Sequence, residues 1–343
     1  MRKIRYHEQQ PPAVGEAVEV AESILWIRMP LPFILDHINL WAIDEGDGWT
    51  LVDTGIKMPN LQRAWEKLLA GPLSQKPVRR VIVTHMHPDH MGLAGWLCER
   101  LNAPLYMTAE EYFVGRSLTL GRWDKAPPEI MAFFKRTGLS LAEQELVDKA
   151  GYGHFADTSL PPPAAFCRLR DGMTLNLGAQ TFQVKVGRGH SPEHACLIRP
   201  HDGLMISGDQ LLPKISSNIS VHAMEPEADP LAEWLDSLAE MAQLSDDTLV
   251  LPAHGLPFYG AAVRAKALIA EHEDRLNTVR ALCRTPQRAI DLLPHIFKRE
   301  VVGRQILLAA GEATAHLHYL RERGELTFED DADGVRWFSV PSS

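Results

Sequence analysis

The chain has 343 residues, of which 45% are hydrophobic and 23% charged, the composition of an ordinary globular protein. Its net charge of −9 argues against a general attraction to nucleic-acid phosphates or anionic membranes. The four cysteines are widely spaced, which disfavours a disulfide framework and favours a reducing, cytoplasmic location.

The N-terminal part predicts an arm followed by strands. Residues 1–15 form a polar arm that we expect to be flexible, and no apolar run follows its basic start, so it does not resemble a signal peptide. No segment approaches the roughly 18 apolar residues of a membrane span. Strands are predicted over 18–29, 38–43 and 49–52. Asp53 follows the third; on its own it would be a solvated turn carboxylate, but beside the next motif we expect it to support a metal ligand.

Residues 81–92, VIVTHMHPDHMG, carry the densest set of potential metal ligands in the chain. Four of them come within six residues, directly after a predicted buried strand: His85, His87, Asp89 and His90. The first two are two residues apart, so an extended strand end would direct both to one side. Pro88 then turns the chain, and the other two precede a predicted helix over 91–101. This arrangement suits two adjacent cations better than one, and Zn²⁺ takes these donors, with Fe or Mn as competitors.

A helical insert is predicted next, over about 108–163, with helices at 109–120, 128–137 and 141–154. Inserts rooted at strand ends near a site often form its substrate-facing wall. Tyr152 and His154 are therefore candidates for a substrate pocket, although each could equally belong to the small core of the insert.

Three further motifs follow predicted strands in the second half of the chain. A hairpin over 174–186 leads into GHSPEH, residues 189–194. A strand over 204–207 ends at Asp209, whose carboxylate would be costly to bury unless it is paired or coordinates a metal. A last strand, 248–252, precedes His254.

These motifs together resemble those of the metallo-β-lactamase superfamily: LVDTG (51–55), THMHPDH (84–90), GHSPEH (189–194), SGDQ (207–210) and PAHG (252–255). The resemblance implies an αββα sandwich of two mixed sheets over residues 16–258, with two bound metals. By matching motif, the first metal would be held by His85, His87 and His190, and the second by Asp89, His90 and His254. Asp209 would bridge the two metals, and His194 would support the site without binding metal.

The resemblance further implies hydrolysis by a metal-bound hydroxide, with Asp89 receiving the proton and two Zn²⁺ as cofactors (Fe or Mn as alternatives). A thioester or other small carboxylic ester, as in the glyoxalase II-like branch, is the expected small-molecule substrate. Four alternatives stay open: a nuclease or phosphodiesterase, a lactonase or β-lactamase, a mononuclear-iron persulfide dioxygenase, and a metal-stabilised binding protein.

Residues 259–343 predict a small C-terminal domain with helices over 261–283, 287–297 and 305–323 and a closing two-stranded hairpin, which resembles a winged helix. Residues 261–343 contain twelve Lys and Arg against twelve Asp and Glu, and the hairpin turn is acidic. These charges argue against nucleic-acid binding. We expect this region to pack on the main domain, close the pocket or form a homodimer.

Overall fold

Two seven-stranded mixed sheets packed face to face form the centre of the molecule. The structure is a computed structural model that describes residues 3–121, 125–150, 155–298, 300, 301, 303 and 305–341. Its strands are β1 (Arg5–Tyr6), β2 (Ala17–Ala21), β3 (Ile24–Pro30), β4 (His37–Asp44), β5 (Trp49–Val52), β6 (Val78–Ile82), β7 (Leu105–Met107), β8 (Cys167–Arg168), β9 (Thr174–Leu177), β10 (Gln180–Gly187), β11 (His194–Arg199), β12 (Leu204–Gly208), β13 (Leu249–Pro252), β14 (Phe258–Tyr259), β15 (Thr327–Asp330) and β16 (Arg336–Ser339).

Helices cover the outer faces of both sheets. They are α1 (Pro59–Ala70), α2 (Pro88–Met91), α3 (Ala94–Leu101), α4 (Ala109–Leu120), α5 (Pro128–Arg136), α6 (Leu141–Ala150), α7 (Phe155–Thr158), α8 (Pro230–Met241), α9 (Ala261–Leu282), α10 (Leu293–Ile296) and α11 (Gln305–Glu322). A 3-10 turn at Ala289–Leu292 precedes α10. No helix in this described part of the chain is both long and apolar enough to cross a membrane.

The first sheet has the order β2-β3-β4-β5-β6-β7-β8, antiparallel up to β5 and parallel beyond it. The second has the order β1-β14-β13-β12-β11-β10-β9, in which only β12 and β13 run parallel. Apolar side chains from both inner faces fill the space between the sheets, among them Trp26, Trp41, Phe182, Ile206 and Leu251. This is the αββα sandwich that the sequence predicts.

The C-terminal region shares a core with the second sheet. Trp234 and Leu238 on α8 pack in one buried cluster with Leu276 on α9 and Leu317 on α11. Burial of apolar surface at about 25 cal/mol per Å² makes this continuous core the main force that holds the region in place. The predicted closing hairpin is present as β15 and β16, whereas the predicted helix 287–297 is a 3-10 turn followed by the short α10.

Two N-terminal features differ from the sequence expectation. The single strand predicted over 18–29 is two strands, β2 and β3, joined by a tight turn in which Ser23 adopts a left-handed backbone with φ of 63°. The predicted flexible arm, residues 1–15, contributes β1, which pairs with β14 at the edge of the second sheet. This edge leaves backbone N–H and C=O groups unpaired, so an arm with the right register can join it.

Candidate metal centre

The seven predicted ligands lie together at one edge of the sandwich, on the segments that follow four strands, with Asp89 and His90 in the short helix α2. His85, His87, Asp89 and His90 follow β6 of the first sheet. The other three follow β10, β12 and β13 of the second sheet: His190, Asp209 and His254. Their donor atoms form three overlapping groups, within each of which the atoms lie within 4.8 Å of one another.

Three imidazoles form the first group. His85 Nε2 lies 2.8 Å from His87 Nδ1, which in turn lies 3.1 Å from His190 Nε2. Nitrogens bound to one tetrahedral Zn²⁺ at about 2.0–2.1 Å would be about 3.4 Å apart. The three nitrogens therefore surround a common point at close to the spacing that a single cation requires.

Asp89, His90 and His254 form the second group. His254 Nε2 lies 3.3 Å from Asp89 Oδ2, and His90 Nε2 lies 3.8 Å from the same oxygen. The Asp89 side chain is 19% exposed, whereas His90 and His254 are buried. The open side of this group is therefore the side of Asp89.

Asp209 stands between the two groups. Its Oδ2 lies 3.5 Å from His190 Nε2, and its Oδ1 lies 3.6 Å from His90 Nε2 and 3.3 Å from His254 Nε2. Within the part of the chain that the structure describes, Asp209 Oδ1, His90 Nε2 and His254 Nε2 are buried and have no hydrogen-bond partner. An unpartnered buried polar atom costs about 1–3 kcal/mol, so three that converge on one place fit a bound cation well.

The electrostatic surroundings of the two groups give their histidines different protonation states in the metal-free protein. Burial and the neighbouring imidazoles hold the pKa of His85 well below its usual range and lower that of His87 to about 3, so both rings are neutral, as ligands must be. Burial alone would raise the pKa of Asp209, but His254 and His90 hold it well below its usual range. Burial opposes protonation of His254, yet Asp209 and Asp89 raise its pKa to about 10, so in the metal-free protein this ring carries a proton that it would release on binding a metal.

In three of the candidate ligand histidines, the N–H of the ring nitrogen that faces away from the group donates to an oxygen atom. His90 Nδ1 lies 2.8 Å from Asp53 Oδ2, His190 Nδ1 lies 2.8 Å from the carbonyl oxygen of Asn218, and His254 Nδ1 lies 2.7 Å from that of His37. Such bonds set the tautomer and orientation of a ligand ring. Asp53 thus accepts from His90 through Oδ2, and its other oxygen accepts the N–H of Thr84 at 2.8 Å.

His194 lies behind the metal groups. Its Nε2 accepts the backbone N–H of Asp209 at 3.0 Å, and its ring stacks on His85 with centroids 4.6 Å apart. A Cβ on Gly208, where φ is 51°, would lie 2.5 Å from the His194 ring, which explains the glycine in SGDQ. His194 therefore contacts the backbone of Asp209 and the ring of His85 from behind the two groups.

The helix predicted over 91–101 is interrupted. The structure has α2 and α3, separated at Gly92 and Leu93. The Leu93 N–H bonds to the Gly55 carbonyl at 3.1 Å, and a Cβ on Gly92 would lie 2.8 Å from that same oxygen. The bend therefore lets the LVDTG turn pack against the segment that carries Asp89 and His90.

Glu111 on α4 was missed by the sequence analysis. Its fully buried carboxylate accepts the N–H of Met86 through Oε2 and the N–H of Glu193 through Oε1, both at 2.8 Å. Met86 lies between two ligand histidines, and Glu193 lies on the His190 loop. Glu111 thus ties the two loops of the first group together. In the sequence it is one of two adjacent acidic residues in the first turn of a helix, which gives no sign of burial.

The proposed pocket residues Tyr152 and His154 lie outside the described residues. Of the other aromatic residues of the insert, Phe133 is buried in the core beside α8 and Phe113 is exposed.

Comparisons with known proteins agree with this geometry. A family model described as "Metallo-beta-lactamase superfamily" matches residues 34–254, and one described as "Metallo-beta-lactamase-like, C-terminal domain" matches residues 276–341. A crystal structure of a beta-lactamase domain protein from Burkholderia ambifaria is 42% identical with a TM-score of 0.89, covering 98% of this chain and 97% of that one.

Curated relatives match over different shares of their length. "Probable metallo-hydrolase YqjP" of Bacillus subtilis is 25% identical over 89% of this chain and 94% of its own. A "Linear primary-alkylsulfatase" of Pseudomonas is 24% identical over 64% of this chain and 41% of its own. An "Atrochrysone carboxyl ACP thioesterase" of Aspergillus fumigatus is 23% identical over 68% of this chain and 39% of its own.

Proposed function

This chain belongs to the metallo-beta-lactamase superfamily, and on that premise we propose that it is a dinuclear metal-dependent hydrolase of a thioester or another carboxylic ester. The observation that carries the proposal is the convergence of six donor side chains around a seventh, Asp209, whose Oδ1 is buried and has no hydrogen-bond partner among the described residues. Two Zn²⁺, or Fe or Mn in their place, fit this donor set.

In this proposal His85, His87 and His190 hold one metal, Asp89, His90 and His254 hold the other, and Asp209 contacts both. When bound, the metals supply Lewis acidity and lower the pKa of a coordinated water from about 15.7 toward 7. Asp89 is the proton acceptor, because it is the partly exposed member of its group. Burial would raise its pKa, but His90 and His254 lower it below its usual value, so the carboxylate is ionised in the metal-free protein.

An acyl substrate is favoured by apolar side chains on two loops that support ligand histidines. The loop before His37, whose carbonyl oxygen accepts from His254, exposes Phe33 (54%) and Ile34 (74%). The segment that contains Asn218, whose carbonyl oxygen accepts from His190, exposes Ile215 (47%). An acyl chain could lie on such groups, whereas a nucleic acid would require cations. The partial relative named as an ACP thioesterase acts on this class of bond, which also supports the proposal.

The test is a substrate panel with metal-loaded protein: acyl thioesters, carboxylic esters, lactones, phosphodiesters and alkyl sulfates. We expect thioesters or esters to be cleaved with the highest kcat/KM. The D209A variant should lose activity and bind less metal, because its side chain contacts both groups. Faster cleavage of phosphodiesters or alkyl sulfates than of every thioester and ester would refute the substrate class. An active protein free of metal would refute the mechanism.

A further inference from the structure

One segment lies between the metal centre and the C-terminal region. It follows β12, contains Asp209 and continues through residues 213–222. Ser217 Oγ donates to the backbone carbonyl of Asp209, and the carbonyl of Asn218 accepts from His190 Nδ1 at 2.8 Å. The segment therefore supports two of the seven candidate ligands.

Helix α11 of the C-terminal region holds this segment from behind. Glu312, 7% exposed, accepts the side-chain N–H of Asn218 through Oε2 at 2.9 Å, and Arg275 on α9 lies 3.5 Å from its other oxygen. Ser220 Oγ donates to Asn218 Oδ1 at 2.7 Å. Because both the NH₂ group and the oxygen of its side-chain amide are hydrogen-bonded, the Asn218 side chain cannot rotate freely. This restricts the direction of the Asn218 backbone carbonyl as well.

Gly311 gives an independent indication that α11 is shaped for this contact. Glycine inside a helix costs about 0.5–1 kcal/mol relative to alanine. A Cβ at this position would lie 2.8 Å from the carbonyl oxygen of Val221 and 3.0 Å from Ser220 Cβ. The Val221 N–H also donates to the Gly311 carbonyl at 3.1 Å. The missing side chain lets the helix backbone bond directly to the segment.

We propose that the C-terminal region is part of the metal centre, because Glu312 positions the candidate ligand His190 through Asn218. The bond from His190 Nδ1 to the Asn218 carbonyl leaves Nε2 free of a proton and aims it at the first metal group. Glu312 acts only through this bond and is a positioning residue. The inference rests on the proposed function, since it takes His190 to be a metal ligand.

The test measures Zn²⁺ binding to the full-length protein by competition with a chelator that resolves the two equivalents. In E312A, we expect one equivalent to bind roughly 10-fold more weakly, the low end of the effect of losing a ligand's own partner, because the Asn218 carbonyl that accepts from His190 is retained. E312Q should lose much less Zn²⁺ affinity than E312A, because the amide oxygen of the new glutamine still accepts from Asn218. N218A, which keeps Glu312, should weaken the same equivalent as E312A.

The matched control is E325Q, because Glu325 bonds to Arg280 at 2.6 Å within the same region and no bond joins it to residues 213–222 in the described structure. It should bind both equivalents like the parent protein. Parent-like binding by both E312A and N218A would overturn the inference. Equal weakening by E325Q would also overturn it, by showing a general effect of destabilising the region. A parent protein that binds no metal would instead refute the proposed function.

Discussion

Replacing Glu111 with alanine should loosen both loops of the first metal group at once. The carboxylate is fully buried and accepts the N–H groups of Met86 and Glu193, each at 2.8 Å. Its loss leaves two buried donors without an acceptor, each costing about 1–3 kcal/mol, so the free energy of unfolding should fall by about 2–6 kcal/mol. In E111Q the side-chain NH₂ must face one of the two N–H donors and cannot accept from it. We therefore expect the free energy of unfolding to fall by about half as much as in E111A.

The assay is urea unfolding of chelator-treated protein, which separates the fold from any metal binding. The control is E110Q, because Glu110 is adjacent on α4 but exposed, and its variant should unfold like the parent. Metal titration of the same variants should show weaker binding in E111A than in E110Q. The reasoning would be refuted if the free energy of unfolding of E111A lay within about 0.5 kcal/mol of the parent value, which is the range of ordinary surface substitutions.

Three further predictions concern other parts of the molecule. Burial lowers the pKa of His316 to about 4, so on acidification this ring is protonated in the unfolded chain at a higher pH than in the folded protein. The free energy of unfolding should therefore fall as the pH drops from about 6.5 toward 4. H316Q should remove up to about 1.4 kcal/mol per pH unit of that slope in urea titrations, and an unchanged slope would contradict this. The F33S/I34S double variant should raise KM for long-chain thioesters at least roughly tenfold, because burying even one such side chain contributes about 1.5–3 kcal/mol and tenfold corresponds to about 1.4 kcal/mol. Its Tm and its KM for acetyl thioesters should stay the same, and an unaltered long-chain KM would exclude a role for this loop. G208A should push His194 away from Asp209 and reduce the metal bound per chain, measured by elemental analysis against the parent.

The candidate ligands stand out in the sequence because each belongs to a short motif that follows a strand, and the spacing within each motif is local. Their supports could not all be predicted. Asp53 is visible as a side chain in a motif, whereas the carbonyl groups of His37 and Asn218 have no sequence signature. Glu111 is indistinguishable from a solvated acid until the fold brings two distant loops to it.

The errors in secondary structure have the same origin. Ser23 turns the chain with a left-handed backbone that glycine or asparagine would have signalled, so two strands were predicted as one. The break after α2 depends on the carbonyl of Gly55, 38 positions before Leu93, which takes the N–H that a continuous helix would use. Local propensity carries no information about such a distant competitor.

The division of the donor atoms between the sheets has a consequence for folding. Four candidate ligands follow a strand of the first sheet, and three follow strands of the second. A cation bound by ligands from both sheets would link the two sheets, and its binding free energy would add to the free energy of unfolding. When the free metal concentration is 100-fold above Kd, this contribution is about 2.7 kcal/mol. Removal of the metal should therefore lower the temperature at which the two sheets come apart.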